Sequence, residues 1–337
     1  MQFTKLGRTG VTVSRICLGC MSYGDKKWRD WVLTADEARE HFATALESGI
    51  NFFDTANVYS VGVSEEITGR WLAEMANRDE IVIATKVNGQ MRRGPNSAGL
   101  SRKHIIEQCD ASLRRLKTDF IDLYQIHRWD FATPIEETLE TLDYLVRAGK
   151  VRYLGASSMA AWQFHKALHL QKEHGWHRFI SMQNHYNLVY REEEREMNPV
   201  CIEYGVGLIP WSPLARGFLA GNRDRQGSGE TTRAKSDEFA KGMYFRDADF
   251  KVLDAVEKVA KQRGITPSQA ACAWIMQAPG VSAPIIGATK LHHLKEAIAA
   301  ADVKLSAEEV AAMEAPYQPH PILGHQQPDS RRMASRN

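Results

Sequence analysis

Four polar side chains, Asp54, Tyr59, Lys86 and His127, stand at or just past the ends of short apolar runs. The runs are Ile50-Asn51-Phe52-Phe53 before Asp54, Ile81-Val82-Ile83-Ala84-Thr85 before Lys86, and Asp122-Leu123-Tyr124-Gln125-Ile126 before His127, with Tyr59 in the loop after the first. Runs of this kind read as buried strands, and if the strands are parallel neighbours the four side chains meet at one end of a sheet. Such a set moves protons: an ammonium beside a phenol lowers its pKa, and a carboxylate holds the ammonium in place. Singly, each has a plainer role as a helix cap, a rim aromatic, a solvated charge or a strand-end histidine. Together, those roles require four coincidences on one face, and a lysine ending an apolar strand is costly unless it is paired.

Positioning these groups requires repeated strand–helix units. Strand-like runs fall at residues 16–20, 50–53, 81–86, 122–127, 151–155, 179–183, 206–211 and 284–287. Eight is the number that closes a (β/α)8 TIM barrel, an α/β fold. Amphipathic segments of helical period lie between them, at 35–48, 64–75, 102–116, 135–148, 160–174, 192–204, 250–263 and 268–277. Thr34 precedes Glu37 in capping-box spacing, and Gly49, Gly149 and Gly205 follow helices as C-caps. Residues 3–6 and 11–13 flank Gly7-Arg8-Thr9-Gly10 and read as an N-terminal β-hairpin able to plug the barrel floor. After strand seven comes a long insertion, residues 215–248, whose position suits a lid.

Composition narrows the classes of function. The 337 residues carry 43 basic and 41 acidic side chains, a net charge of +2, which gives no case for nucleic acid as a partner. No apolar run is long enough to span a bilayer, and the start lacks a secretory signal, so a cytoplasmic protein is expected. Five scattered cysteines make no disulfide framework, and Cys17-Leu18-Gly19-Cys20 lies in an apolar run as buried hydrophobes rather than a metal or redox motif. Residues 1–324 read as one domain, and 325–337, with Arg331, Arg332 and Arg336, as a disordered tail. Oligomeric state is left open by the sequence.

The text around the four polar residues resembles the aldo-keto reductase superfamily. Gly49-Ile50-Asn51-Phe52-Phe53-Asp54-Thr55-Ala56-Asn57-Val58-Tyr59, then Ile83-Ala84-Thr85-Lys86, Leu123-Tyr124-Gln125-Ile126-His127, Gly155-Ala156-Ser157-Ser158, Met182-Gln183-Asn184 and Trp211-Ser212-Pro213-Leu214 follow in that family's order. The likeness is to a bacterial branch akin to potassium-channel β-subunits and sugar-phosphate-acting reductases. It implies reduction of an aldehyde or ketone on a small molecule, reversibly, with Tyr59 as proton donor, Lys86 lowering its pKa, Asp54 fixing Lys86 and His127 orienting the carbonyl.

The resemblance also implies a nicotinamide site. Ser157, Ser158 and Gln183 match carboxamide contacts, Trp211 the ring that stacks on the nicotinamide, and Ser212, Leu214 and Gly217 the loop around the pyrophosphate. Gly287, Thr289, Lys290, His293 and Glu296 match the adenosine-phosphate segment, where Lys290 and His293 favour NADP(H). Arginine is common in relatives at the place of His293, which leaves NAD(H) open. No metal is implied, and no G-x-G-x-x-G stands between a strand and a helix, which excludes a Rossmann site. Tyr23, Trp28, Trp31, Asn88 and Trp129, on loops expected at the active face, form a predicted substrate pocket, with Met91 and Phe218 as further lining; Arg92, Arg93 and Arg128 are candidates to meet a phosphate or carboxylate on the substrate, with solvated charges as the plainer reading, the one preferred for Arg92 and Arg93. Two competing functions remain at this level: a cofactor-sensing regulatory subunit with vestigial turnover, and an aldolase using Lys86 as a Schiff-base nucleophile.

Overall fold

The computed structural model describes residues 1–221 and 242–325 of the chain. Most of the insertion after strand seven, residues 222–241, and nearly all of the arginine-bearing tail, residues 326–337, lie outside the described residues.

An antiparallel hairpin of β1 (Phe3–Lys5) and β2 (Thr12–Ser14) precedes eight parallel strands. These are β3 (Cys17–Gly19), β4 (Phe52–Asp54), β5 (Val82–Val87), β6 (Ile121–Ile126), β7 (Val151–Ser157), β8 (Phe179–Gln183), β9 (Gly207–Leu208) and β10 (Ile285–Ile286). They lie in the order β10-β3-β4-β5-β6-β7-β8-β9. The two outer strands are joined by hydrogen bonds from Leu208 N to Gly280 O (2.9 Å), Ser282 N to Leu208 O (2.8 Å) and Ile285 N to Pro210 O (2.9 Å), which close the ring. The result is the expected (β/α)8 barrel with its N-terminal hairpin.

The outer layer comprises α1 (Ala35–Glu47), α2 (Val63–Met75), α3 (Arg102–Leu116), α4 (Ile135–Arg147), α5 (Ala161–Glu173), α6 (Met197–Tyr204), α7 (Asp247–Arg263) and α8 (Pro267–Gln277), with α9 (Leu291–Ala300) and α10 (Ala307–Glu314) after the last strand. Thr34 N donates to the Glu37 carboxylate at 2.8 Å, the capping contact that the spacing predicts at the start of α1. The helix expected over 192–204 begins late, at Met197. Pro199 lacks an N–H and is accommodated in the first turn of α6. Upstream, Glu192 accepts hydrogen bonds from Tyr317 Oη (2.5 Å) and His320 N (2.9 Å) within a separate 3₁₀ turn, Glu192–Glu194. No described helix is long and apolar enough to cross a membrane.

Strand residues two apart face the same way, so alternate positions point into the barrel. Its lower layer is apolar: Leu6 and Val13 from the hairpin region pack with Cys17, Phe52, Val82, Leu123, Ile209 and Ile285. The hairpin therefore plugs the floor. Its turn approaches the barrel so closely that a Cβ on Gly7 would stand 2.6 Å from Gly205 O, and Gly7 has a φ of +58°. All five cysteines are buried free thiols, and burial pushes the Cys20 thiol up to about 12, in keeping with their reading as small hydrophobes.

Candidate active site

The inward face changes character from floor to mouth along single strands: Phe52 is followed by Asp54, Val82 and Ala84 by Lys86, and Leu123 by Gln125 and His127. Parallel pairing sets Asp54 opposite Ala84 and Lys86 opposite Gln125. The same period that fills the floor with hydrocarbon thus delivers polar groups to the other end.

Lys86 is fully buried, and its Nζ lies 2.5 Å from Asp54 Oδ1, 2.8 Å from Thr55 O and 3.4 Å from Tyr59 Oη. Burial alone lowers a lysine pKa, but the charge and hydrogen bond of Asp54, with Tyr59, outweigh it, and the Lys86 pKa is raised. Lys86 is therefore an ammonium. Removing one partner of a buried pair costs about 3–5 kcal/mol, because the other charge is left uncompensated. Asp54 Oδ2 accepts from Gln125 Nε2 and Gln183 Nε2, both at 2.9 Å, and Gln183 Nε2 also donates to Gln125 Oε1 at 3.3 Å. Gln125 has room because Gly155 lies beside it: a Cβ there would stand 3.0 Å from Gln125 Cγ and 2.4 Å from Ser181 Oγ.

Tyr59 opens a tight turn after β4, in which Ser60 (φ 48°) and Val61 (φ 51°) adopt left-handed backbone. That conformation is strained for a β-branched residue and is held by its surroundings, with Asp25 N donating to Ser60 Oγ at 3.2 Å. The Tyr59 and His127 rings meet edge to face with centroids 5.7 Å apart. Burial, then the charges of Arg128 and Lys86, hold the His127 pKa well below its usual 6.5, so its imidazole is neutral near pH 7. It can donate a hydrogen bond without carrying charge.

A cavity of about 310 Å³ opens over this group. Asp54, Tyr59, His127 and Arg128 line one part, Ser157, Gln183 and Trp211 another, and Ser212, Leu214, Gly217, Ser268, Gly287, Thr289 and His293 a third. Trp211 ends a three-ring stack: His185 lies 4.2 Å from it at 11°, and Tyr190 lies 4.1 Å behind His185 at 13°. One Trp211 face is thus covered while the residue lines the cavity, and Trp211 Nε1 donates to Ser158 Oγ at 2.9 Å. From Ser212 to Gly217 the backbone takes positive φ at Ser212, Ala215, Arg216 and Gly217, a concave turn of the kind that suits an anion. These donors and the open ring face fit a dinucleotide laid across the mouth.

Not every expected residue reaches the cavity. Lys290 is exposed just before α9 and Glu296 is half-buried on that helix; neither is in the lining. Tyr23 is a core residue: it is fully buried against Phe42 and His41, with centroids 5.1 and 5.8 Å away, because it packs outward from the barrel. Trp31 is buried, Trp129 packs 6.2 Å from Trp162, and Asn88 donates to Arg128 O at 3.3 Å. Trp28 comes nearest, 6.4 Å from the Tyr59 ring. Phe218 belongs to an aromatic cluster with Phe245 and Phe250. Met21, Ser22 and Arg29 line the cavity where aromatic loop residues were expected, together with Arg128, which the sequence singles out. Gln125 and His185 were missed. Each lies two residues from a residue already singled out, His127 and Gln183, and period two was the available signal.

The model of the Aldo/keto reductase family matches residues 15–318. A Schizosaccharomyces pombe protein with the provisional name aryl-alcohol dehydrogenase C977.14c is 43% identical over 343 residues, covering 95% of this chain and 96% of its own. Versiconal hemiacetal acetate reductase of Aspergillus parasiticus is 42% identical, over 96% of this chain and 98% of that one. Aldo-keto reductase AMT2 of Alternaria alternata is 41% identical, over 96% and 93%. These relatives are fungal, and the bacterial, potassium-channel-like branch suggested by the motifs finds no support in them.

Proposed function

The chain belongs to the aldo/keto reductase family, and on that premise we propose that it reduces aldehyde or ketone groups of small molecules to alcohols, reversibly, with NADP(H) as the preferred cofactor. The observation that carries this reading is the meeting of Lys86, Asp54, Tyr59 and His127 at the edge of one elongated cavity. Relatives named as a dehydrogenase and as reductases support a carbonyl-reducing oxidoreductase.

A nicotinamide cofactor, when bound, supplies the hydride that the carbonyl carbon receives. Tyr59 Oη donates the proton to the carbonyl oxygen, and the Lys86 ammonium, 3.4 Å away, stabilises the phenolate left behind. Asp54 keeps Lys86 charged and oriented. Neutral His127 donates to the same carbonyl oxygen and orients it, stabilising negative charge as it develops. Trp211 takes the nicotinamide ring on its open face, Ser157 and Gln183 the carboxamide, and the turn from Ser212 to Gly217 the pyrophosphate. Thr289 and His293, near the N-terminus of α9, take the adenosine phosphate, with Lys290 adjoining.

The aldolase alternative requires a neutral amine, whereas Asp54 holds Lys86 as an ammonium. Titration with NADPH and NADH by tryptophan fluorescence, followed by an aldehyde and ketone panel read in the near ultraviolet, tests the proposal. Tight NADPH binding with turnover is the expected result. Tight binding without turnover would favour a regulatory subunit, and no binding would overturn the cofactor assignment.

A further inference from the structure

Among the described residues, several arginines shielded from solvent answer to carboxylates: Arg115 Nε lies 2.6 Å from Glu65, Arg78 Nη2 2.7 Å from Asp122, and Arg191 Nε 2.9 Å from Glu194. Arg128 differs. It lines the cavity beside Tyr59 and His127, and its hydrogen bonds run from Nη1 to two neutral acceptors, His127 O at 2.6 Å and Ser157 Oγ at 3.4 Å. No carboxylate among the described residues pairs with it, and Nε and Nη2 make no hydrogen bond to those residues. Burial holds its pKa below the ordinary arginine value. A half-buried guanidinium with no anion beside it has given up part of its hydration without an ion pair in return, and an incoming anion supplies that pair.

We propose that Arg128 forms an anion subsite beside the reacting carbonyl, and that the preferred substrates are aldehydes or ketones that also carry a carboxylate. This rests on the reductase reading above. The ring order separates this cation from the phosphate half of the cavity: Arg128 follows β6 and touches the end of β7, whereas the turn from Ser212 to Gly217 follows β9, on the far side of β8. An anion brought by the substrate is therefore the one within reach. The guanidinium plane, pinned at Nη1, presents its remaining donors in the fork that matches a carboxylate in bidentate fashion. The substrate is thereby held by two oxygens, the carbonyl at Tyr59 and His127 and the carboxylate at Arg128.

The ortho, meta and para carboxybenzaldehydes, each against its methyl ester, test this with NADPH in the wild type, Arg128→Met and Arg128→Lys. For at least one isomer the wild type should favour acid over ester in kcat/KM by about tenfold or more, since a site built to bond a polar group rejects the analogue lacking it. In Arg128→Met that ratio should collapse toward unity, chiefly through KM, with Arg128→Lys intermediate. An acid preference absent in the wild type, or undiminished in Arg128→Met, would overturn the subsite. So would a joint fall for acid and ester together with weakened NADPH binding, which would assign Arg128 to the carboxamide. If Arg128→Met does not fold, the wild-type ratio and Arg128→Lys decide. Failure of the wild type to turn over any of the six compounds would instead bring down the reductase reading, and the subsite with it.

Discussion

The two ends of this barrel are built from the same strands and obey opposite rules. At the floor, Leu6, Val13, Phe52 and Val82 meet in a dry apolar layer closed by the hairpin. At the mouth, two residues further along β4 and four along β5, Asp54 and Lys86 are as deeply buried, yet their charged ends are met by an ion pair and hydrogen bonds. The floor contributes stability by removing apolar surface from water, whereas a buried ion pair is weak evidence for stability because desolvation offsets much of its attraction. The mouth is therefore where the fold spends stability on chemistry.

Substitutions at the two ends should separate cleanly. The largest effect belongs to the mouth: Tyr59→Phe keeps the ring and loses the proton donor, and carbonyl reduction should fall by about 10²–10⁴-fold while NADPH still quenches fluorescence. Turnover near that of the wild type would remove Tyr59 from the mechanism. At the floor the order reverses: Leu6→Ala should lower the unfolding free energy by about 2–5 kcal/mol in urea titrations, with kcat per folded molecule unchanged. A large loss of kcat without loss of stability would erase the distinction between the ends.

A smaller effect sharpens it. Gln125→Leu removes one of two amide donors from Asp54 Oδ2 and should lower kcat about tenfold, the cost of one hydrogen bond to a charged group. Unchanged kcat would mean that Lys86 and Gln183 suffice to orient Asp54.

The smallest effect is in pH. Burial depresses the pKa of His127 and His185 well below 6.5, so in the folded state they stay neutral while the unfolded chain takes up protons. The unfolded state then binds more protons, and stability that is fully present above pH 6.5 is lost as pH falls below it, by about 1.4 kcal/mol per pH unit for each histidine. Urea titrations from neutral to mildly acidic pH should show this slope, reduced by one histidine's share in His185→Phe. The same slope in that variant would show that His185 takes no part.

Much of this was legible in the chain. The barrel and its hairpin follow from apolar runs, turn residues and helix caps, all of which are local. The meeting of Asp54, Tyr59, Lys86 and His127 was legible for the same reason, since each marks the end of a strand or the turn after it. The substrate pocket was not. Tyr23 and Arg29 lie on one short segment, and the aromatic entered the core while the cation reached the cavity. Loop composition carries no record of which way such a segment folds.

By itself, then, the sequence determined the number of strands, their period and the chemical type of the group at each strand end, because those depend on neighbours a few residues apart. Only the tertiary structure decided that Gln125 and Gln183, distant in the chain, share one oxygen of Asp54, that His185 and Tyr190 stack behind Trp211, and that Arg128 faces the cavity with no carboxylate of the described residues paired to it. Those contacts arise from strand order and register around a closed ring, which bring together residues whose separation along the chain no local pattern encodes.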